Sequence, residues 1–506
     1  MKINLIEYFE RTVDLFPDKL AVSDDISFLS FKDLGQKAKF IATQISSKYK
    51  LINRPIAIYL PKTSDSIVSF LATLYSGNCY APLDVKNPIS RIHSILNTLE
   101  PICIITNNKY AEIISNVSLE IDIINIDDLE FNNVEVGHFN YQKCIDNDPA
   151  YIIHTSGSTG LPKGVVISHR SIFDYINWAI DTFHISKNET IGNQAPFIFD
   201  NSTLDIYLMI FTGATLYLIP EHMFMFPAKL LNFIEINQIN FIFWVPSVLI
   251  NVANLKLLST IKVPSLKKIL FAGEVMPTSH LNYWINNLDK DVLFANLYGP
   301  TEITVDCTYY IVERNFSDDE ILPIGIPCKN SDVLILNEKN KLCEPNEQGE
   351  LCVRGSSLAL GYWNNLEKTN SVFVQNPLNN FFPEKIYRTG DQVFINSQNE
   401  IIFVGRKDFQ IKHLGYRIEL GEIEHSIVSV FNSINACVLY DKARGEIVLF
   451  YESEQEIPVT EFRIKLNKTL SKYMIPTRYL KIDNLPMTSS GKIDRVHLIK
   501  RINEKS

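Results

Sequence analysis

Thr155-Ser156-Gly157-Ser158-Thr159-Gly160-Leu161-Pro162-Lys163-Gly164 concentrates hydroxyls, glycines and one lysine between two apolar runs. The chemistry this composition offers is anion binding. Glycines let backbone N–H groups converge into a nest, and Ser and Thr hydroxyls add donors. A phosphate is the fitting ligand. The P-loop of kinases and GTPases requires Gly-Lys-Ser/Thr running straight into a helix. Here Pro162 stands where its second glycine would be, and Lys163 is followed by Gly164 and an apparent strand, "VVIS". A P-loop kinase or GTPase is therefore disfavoured. An ordinary surface loop could share the composition, but the order T-S-G-S-T-G-x-P-K-G is far more particular.

The loop needs a scaffold, and the flanking pattern supplies one. "RPIAIYL" and "PICIIT" read as buried strands, and "SIVSFLATLYSG" between them has helical spacing and stops at Gly77. After the loop, Ile172, Phe173, Ile176, Ala179, Ile180 and Phe183 mark one face of a further helix. Alternating strands and helices predict a parallel α/β core. From about Gly349 the pattern changes to strand-turn-strand: "GELCVRG", "QVFINSQNEIIFVGR", "FQIKHLGYRIEL". The expected fold is a large N-terminal α/β domain, residues 1–405, and a small C-terminal α+β domain, 406–506, joined at "GRKD".

Bulk properties narrow the function. The chain has 506 residues, 46% hydrophobic, so a large core is expected and disorder is not. A net charge of −9 argues against a nucleic-acid partner. The eight cysteines include no C-x-x-C pair, which reads as free thiols in a reducing, cytoplasmic compartment. "MKINLIEYFERTVDLF" carries Glu7, Glu10 and Arg11 within its apolar pattern and reads as an amphipathic helix, not a signal peptide. No run approaches a membrane span, and "FIFWVPSVLINV", broken by Pro246, is assigned to the core.

With its loop and order of motifs, the sequence resembles the adenylate-forming (AMP-binding) enzymes: acyl-CoA synthetases, luciferases and the adenylation domains of peptide synthetases. The resemblance rests on "YAPLD", "HTSGSTGLPKG", "NLYGPTE", "GELCVRG", "YRTGD", "GRKDFQIKHLGYRIELGEIE" and "LPMTSSGKIDR", in the family's order across essentially the whole chain. The closest wording is that of amino-acid adenylating members, D-alanine–carrier protein ligases and stand-alone peptide-synthetase adenylation domains. The resemblance implies a reaction in two halves: a carboxylate attacks the α-phosphate of ATP to give an acyl-adenylate and pyrophosphate, and a phosphopantetheine thiol then takes the acyl group. Both halves require stabilisation of developing negative charge.

The resemblance also implies roles. Thr155, Ser156, Gly157, Ser158, Thr159, Gly160 and Lys163 would close over the β- and γ-phosphates. In Asn296-Leu297-Tyr298-Gly299-Pro300-Thr301-Glu302, Tyr298 would stack on adenine, with Asn296 in the same pocket. Thr301 would bind the α-phosphate, and Glu302 would hold Mg²⁺, an ion that takes hard oxygen ligands. Asp391 would accept from both ribose hydroxyls, and Arg406 would touch the nucleotide. Lys492 would bridge the carboxylate and α-phosphate. The small domain would be mobile, pivoting at Asp408 and bringing Gly415 to the site for the thiol arm.

For the acid, "FIFDNSTLDIY" places Asp200 where amino-acid activating members hold the substrate ammonium, with Phe199 beside it. A buried ammonium needs a charged partner, whereas a fatty acid does not. The alternative for "FDNS" is a plain strand-to-helix cap. Asn201, Leu204, Phe243, Leu270, Ala272, Leu297, Val305 and Asp306 would line the rest. D-alanine ligases typically carry cysteine where Ala272 stands, which puts D-alanine in doubt. Leu297, Val305 and Asp306 are similar to serine-selecting domains, and Phe243 and Leu204 are not. Asp306 amid apolar neighbours would require a donor from the substrate, so a small or polar amino acid is expected. The chain ends eleven residues after "GKIDR", from which a separate carrier protein is expected. The competing expectation is an acyl- or aryl-acid CoA ligase of the same superfamily; a non-catalytic adenylate-binding protein is disfavoured by the presence of Lys492, Asp391 and Glu302.

Overall fold

The computed structural model describes residues 3–24, 26–117, 120–130, 139–157, 161–431, 434–453, 455–487 and 493–504. They form two compact units. The first comprises Met1–Val85, Leu99–Ile153 and Gly164–Lys407; the second comprises Asp408–Ser506 together with Lys86–Thr98 and His154–Lys163.

The first unit is a mixed α/β assembly built on three sheets. In the nine-stranded sheet, Leu293–Tyr298, Lys268–Ala272, Phe241–Trp244, Thr190–Asn193, Thr215–Leu218 and Leu20–Ser23 lie side by side, each parallel to the next. Thr308–Ile311 and Phe28–Ser30 add antiparallel neighbours at the two sides. "FIFW" and "KILFA" are almost continuously apolar because such strands are covered on both faces. One face packs with Ile172, Ile176 and Ala179 of helix His169–Phe183 and with Leu204 and Leu208 of helix Asn201–Thr212. The other face carries Ile242, Trp244, Ile269 and Phe271, which pack with Leu249, Leu281 and Trp284.

In the seven-stranded sheet, Pro55–Ile58 sits between Cys79–Pro82 and Cys103–Thr106, all parallel, with helix Ser64–Tyr75 connecting the first two. The strands and helix expected from "RPIAIYL", "PICIIT" and "SIVSFLATLYSG" are thus present. The third sheet is antiparallel: Ser331–Leu336, Gly349–Gly355, Lys385–Ile395 and Phe373–Gln375, with Ile401–Arg406 paired to Lys385–Ile395.

The second unit carries the hairpin Gln410–His413/Tyr416–Glu419, helix Leu420–Phe431 and a three-stranded sheet of Asn435–Asp441, Glu446–Glu452 and Arg478–Ile482. Its core gathers Ile418, Ile423, Ile427, Leu449 and Phe462. Arg495 clamps both oxygens of Glu424 at 2.7 Å and lies over the Phe409 ring, so the residues just past Lys492 are tied to the chain just past Asp408.

All eight cysteines are unpaired, and all but Cys343 are buried. Among the described residues no helix is long and apolar enough to cross a membrane.

Candidate active site

Two acidic corners lie in the first unit. One is built from the antiparallel sheet. Asp391 and Arg406 face each other across the pairing of Lys385–Ile395 with Ile401–Arg406. The guanidinium donates to Asp391 Oδ1 at 2.6 Å. Tyr298, the last residue of Leu293–Tyr298, donates its hydroxyl to Asp391 Oδ2. Burial, followed by the Asp391 carboxylate, pushes the Tyr298 phenol well above its ordinary value, with Arg406 opposing. The proton therefore stays on the tyrosine and Asp391 is the acceptor. Asn296, two residues back, donates its side-chain amide to the Pro323 carbonyl at 2.8 Å.

The chain then folds sharply back. A Cβ on Gly299 would lie 2.3 Å from the Val305 carbonyl oxygen, so only glycine permits the approach. Thr301–Ile303 form a single 3-10 turn after Pro300. Thr304 and Val305 adopt φ of 61° and 74°, left-handed values that β-branched residues rarely take and that concentrate at functional sites. The strain is held by neighbours: Thr304 Oγ1 donates to Ser357 O at 2.7 Å, and Ala359 N to Glu302 O at 2.9 Å. Thr301 and Glu302 are buried, and Tyr362 donates to Glu302 Oε1 at 2.7 Å. A single oriented carboxylate fits a magnesium ion that draws its other ligands from water and substrate phosphates. Among the described residues no cluster of His, Cys, Asp and Glu could hold a metal by itself.

The second corner lies under the nine-stranded sheet. Strand register pairs Phe243 with Leu270 and Ala272 with Leu297. Since side chains alternate along a strand, these four share one face. All are buried in the core cluster that also holds Val305. Helix Asn201–Thr212 begins on the same side of the sheet, and Leu204 belongs to the same cluster. Asp200 occupies the capping position of that helix, yet its side chain makes no capping bond, which removes the simple-cap reading. Phe199 precedes it, half-buried. Asp200 raises the pKa of both Tyr151 and Tyr175, after burial in each case. Asp306 is buried, and its Oδ2 accepts from the Tyr175 hydroxyl at 2.7 Å. The Tyr175 phenol is thus bonded to Asp306, with Asp200 a lesser influence on it. The donor that sequence reasoning sought from a substrate is supplied to Asp306 by Tyr175.

The phosphate-type loop belongs to the second unit. Thr155 ends strand Pro149–Thr155, and its buried hydroxyl has no hydrogen-bond partner among the described residues. Ser156 Oγ donates to Arg417 O at 2.8 Å and accepts from Glu419 N at 3.2 Å. Glu422 pairs with Arg91 in a buried contact; burial raises its carboxyl, against the lowering effects of Arg91 and the Gly157 amide. Lys163 opens strand Lys163–Ser168. Ser158, Thr159, Gly160 and Lys492 lie outside the described residues. Asp408 is exposed, and its Oδ1 accepts from Gln410 N at 3.2 Å. Gly415, with Leu414, forms the turn of the first hairpin, at φ of 80° and 52°.

Tyr175, Tyr362, Arg91 and Glu422 were not singled out by the sequence. Tyr175 did carry a signal: it falls on the apolar face set by Ile172, Ile176 and Ala179, and a buried tyrosine needs a partner for its hydroxyl.

The chain belongs to the AMP-binding enzyme family, which matches residues 9–363. It is 32% identical over 499 residues to zwittermicin A synthase ZmaJ of Bacillus cereus, covering 96% of this chain and 93% of that one. It is 30% identical to tyrocidine synthase 1 of Brevibacillus parabrevis, where 97% of this chain spans 44% of the relative's length. In solved structures it resembles the Vibrio cholerae adenylation domain AlmE in complex with glycyl-adenosine-5'-phosphate (TM-score 0.85, 22% identity, 100% of this chain and 98% of that one). It also resembles the o-succinylbenzoate CoA synthetase MenE of Bacillus subtilis (TM-score 0.85, 19% identity, 99% of each chain). These two likenesses bear on the fold.

Proposed function

We propose that this enzyme activates an amino acid as its aminoacyl-adenylate, with ATP and Mg²⁺, and passes the acyl group to the phosphopantetheine thiol of a separate carrier protein. The observation that carries the amino-acid reading is Asp200, a half-buried carboxylate at a helix start that makes no capping bond. A carboxylate so placed matches a substrate ammonium, and charge-assisted bonds are the strong ones. The likeness to ZmaJ and to tyrocidine synthase 1 over nearly the whole of this chain supports the reading.

In this reading Tyr298 stacks on adenine and Asp391 accepts from the ribose hydroxyls, with Arg406 holding the carboxylate in place. Thr301 binds the α-phosphate. Glu302, oriented by Tyr362, is the magnesium ligand. The bound ion supplies positive charge to the polyphosphate. Thr155 to Lys163 embrace the β- and γ-phosphates, Thr155 with a hydroxyl that has no partner among the described residues. Lys492 is assigned the carboxylate–α-phosphate junction during adenylation. Asp408 is assigned the pivot between the half-reactions, and Gly415 the thiol arm. Thr155, Thr301 and Lys492 would thereby supply donors where charge develops.

The test is amino-acid-dependent exchange of pyrophosphate into ATP across a panel that includes acids without an amine. Exchange supported by a small or polar amino acid is the expected result; exchange supported only by amine-free acids transfers the protein to the CoA-ligase reading, to which the MenE likeness lends fold-level support.

A further inference from the structure

We propose that Tyr175 is a specificity-determining residue of the acid pocket, holding Asp306 through its hydroxyl and setting which side chains the pocket accepts. The inference rests on the adenylation reading above and adds a residue to it.

Tyr175 is buried on helix His169–Phe183, remote in sequence from Asp306, and the two meet at 2.7 Å. Asp306 terminates the strained turn at Thr304 and Val305, and its own amide donates to Thr304 O at 3.1 Å. The phenol bond therefore fixes the carboxylate beside a turn in which two β-branched residues take left-handed φ. A phenol has a single proton. With Asp200 and Asp306 both bearing on Tyr175, that proton goes to Asp306. A substrate side chain meets an acceptor already supplied with one donor and held in one orientation. Removing the phenol oxygen would leave a buried acceptor one donor short, and a site short of a donor favours substrates that bring one and penalises those that do not.

The experiment compares isosteric pairs that differ by a donor: serine with 2-aminobutyrate, and threonine with valine. For each, kcat/KM in pyrophosphate exchange is measured for wild type and Tyr175→Phe. The expected result is a rise of at least about fivefold in the donor-to-methyl ratio. In an Asp306→Ala background the same Tyr175→Phe change should leave the ratio alone. A ratio unchanged in the folded single variant, whatever happens to its Tm, overturns the proposal, because a merely structural tyrosine lowers both members of a pair alike. Should Tyr175→Phe fail to fold, Asp306→Asn keeps an acceptor for the phenol while removing the charge; the ratio should then fall, and constancy overturns the proposal. A wild type active only on amine-free acids sinks the amino-acid reading alone, since hydroxyl and methyl analogues of those acids give the same ratio. A wild type that exchanges with no acid sinks both.

Discussion

The two acidic corners of the first unit are built alike and balanced differently. In each, a buried tyrosine donates to a buried aspartate: Tyr298 to Asp391 and Tyr175 to Asp306. The charges bearing on Tyr298 include a cation, Arg406, as well as Asp391. The acidic residues bearing on Tyr175 are Asp306, Cys328 and Asp200. The first corner has its charge compensated from within the fold, which suits an uncharged ligand such as a ribose. On the proposed function, the second would present the Asp200 carboxylate to a ligand carrying an ammonium, beside an Asp306 already bonded to Tyr175.

The comparison breaks most decisively at Asp391. Asp391→Ala leaves the Arg406 guanidinium without its carboxylate, a loss of about 3–5 kcal/mol for a buried pair. ATP-dependent exchange should fall by about two orders of magnitude or more, with the KM for the acid little changed; a normal KM for ATP would remove Asp391 from the nucleotide corner. Asp200→Ala comes next. Activation of the preferred amino acid should weaken by at least about tenfold, the loss expected of a buried ion-pair partner, while ATP affinity holds, and initial rates at saturating ATP report it. Tyr298→Phe is smaller, roughly the 1 kcal/mol of one net hydrogen bond. It should slow every acid in proportion, read as kcat/KM across the panel, whereas a changed order of preference would mean that the corners are not separate.

A separate effect is on stability. Asp205, on the same helix as Asp200, is fully buried with Asn193 donating to Oδ2 at 2.8 Å, and burial pushes its carboxyl up to about 8. The unfolded chain releases this proton near the ordinary carboxylate range, and the fold retains it to about 8. The folded state therefore binds more protons between those values, so stability is lost as pH rises through that window. Asp205→Asn should flatten the decline in Tm between about pH 4 and 8; parallel Tm–pH curves for the two proteins would refute it.

How much of this was legible in the sequence follows from what each feature depends on. The seven-stranded sheet was readable because Pro55–Ile58 and Cys103–Thr106 are local apolar runs. Asp391, Glu302 and Asp200 were singled out because each sits in a short motif that resembles the family's. Tyr175 and Tyr362 were not singled out, since their meaning lies in partners 131 and 60 residues away. The donor to Asp306 was assigned to the substrate for the same reason: hydrogen bonding across the fold leaves no local trace. The left-handed Thr304 and Val305 were equally invisible, because their types argue against the conformation they adopt.

The buried cysteines matter for the fate of an acyl-adenylate. This mixed anhydride acylates any thiolate within reach, and the thiolate, not the thiol, is the nucleophile. Cys328 is under the influence of Asp306 at the edge of the acid pocket, and burial drives its thiol well above the usual value. Burial likewise holds Cys79, Cys103, Cys352 and Cys437 at about 12 and Cys144 at about 11. An enzyme that manufactures an acylating agent thus keeps these sulfurs protonated and out of contact with solvent. On the proposed function, these buried sulfurs would not take the acyl group, which would persist until a thiol is brought to it.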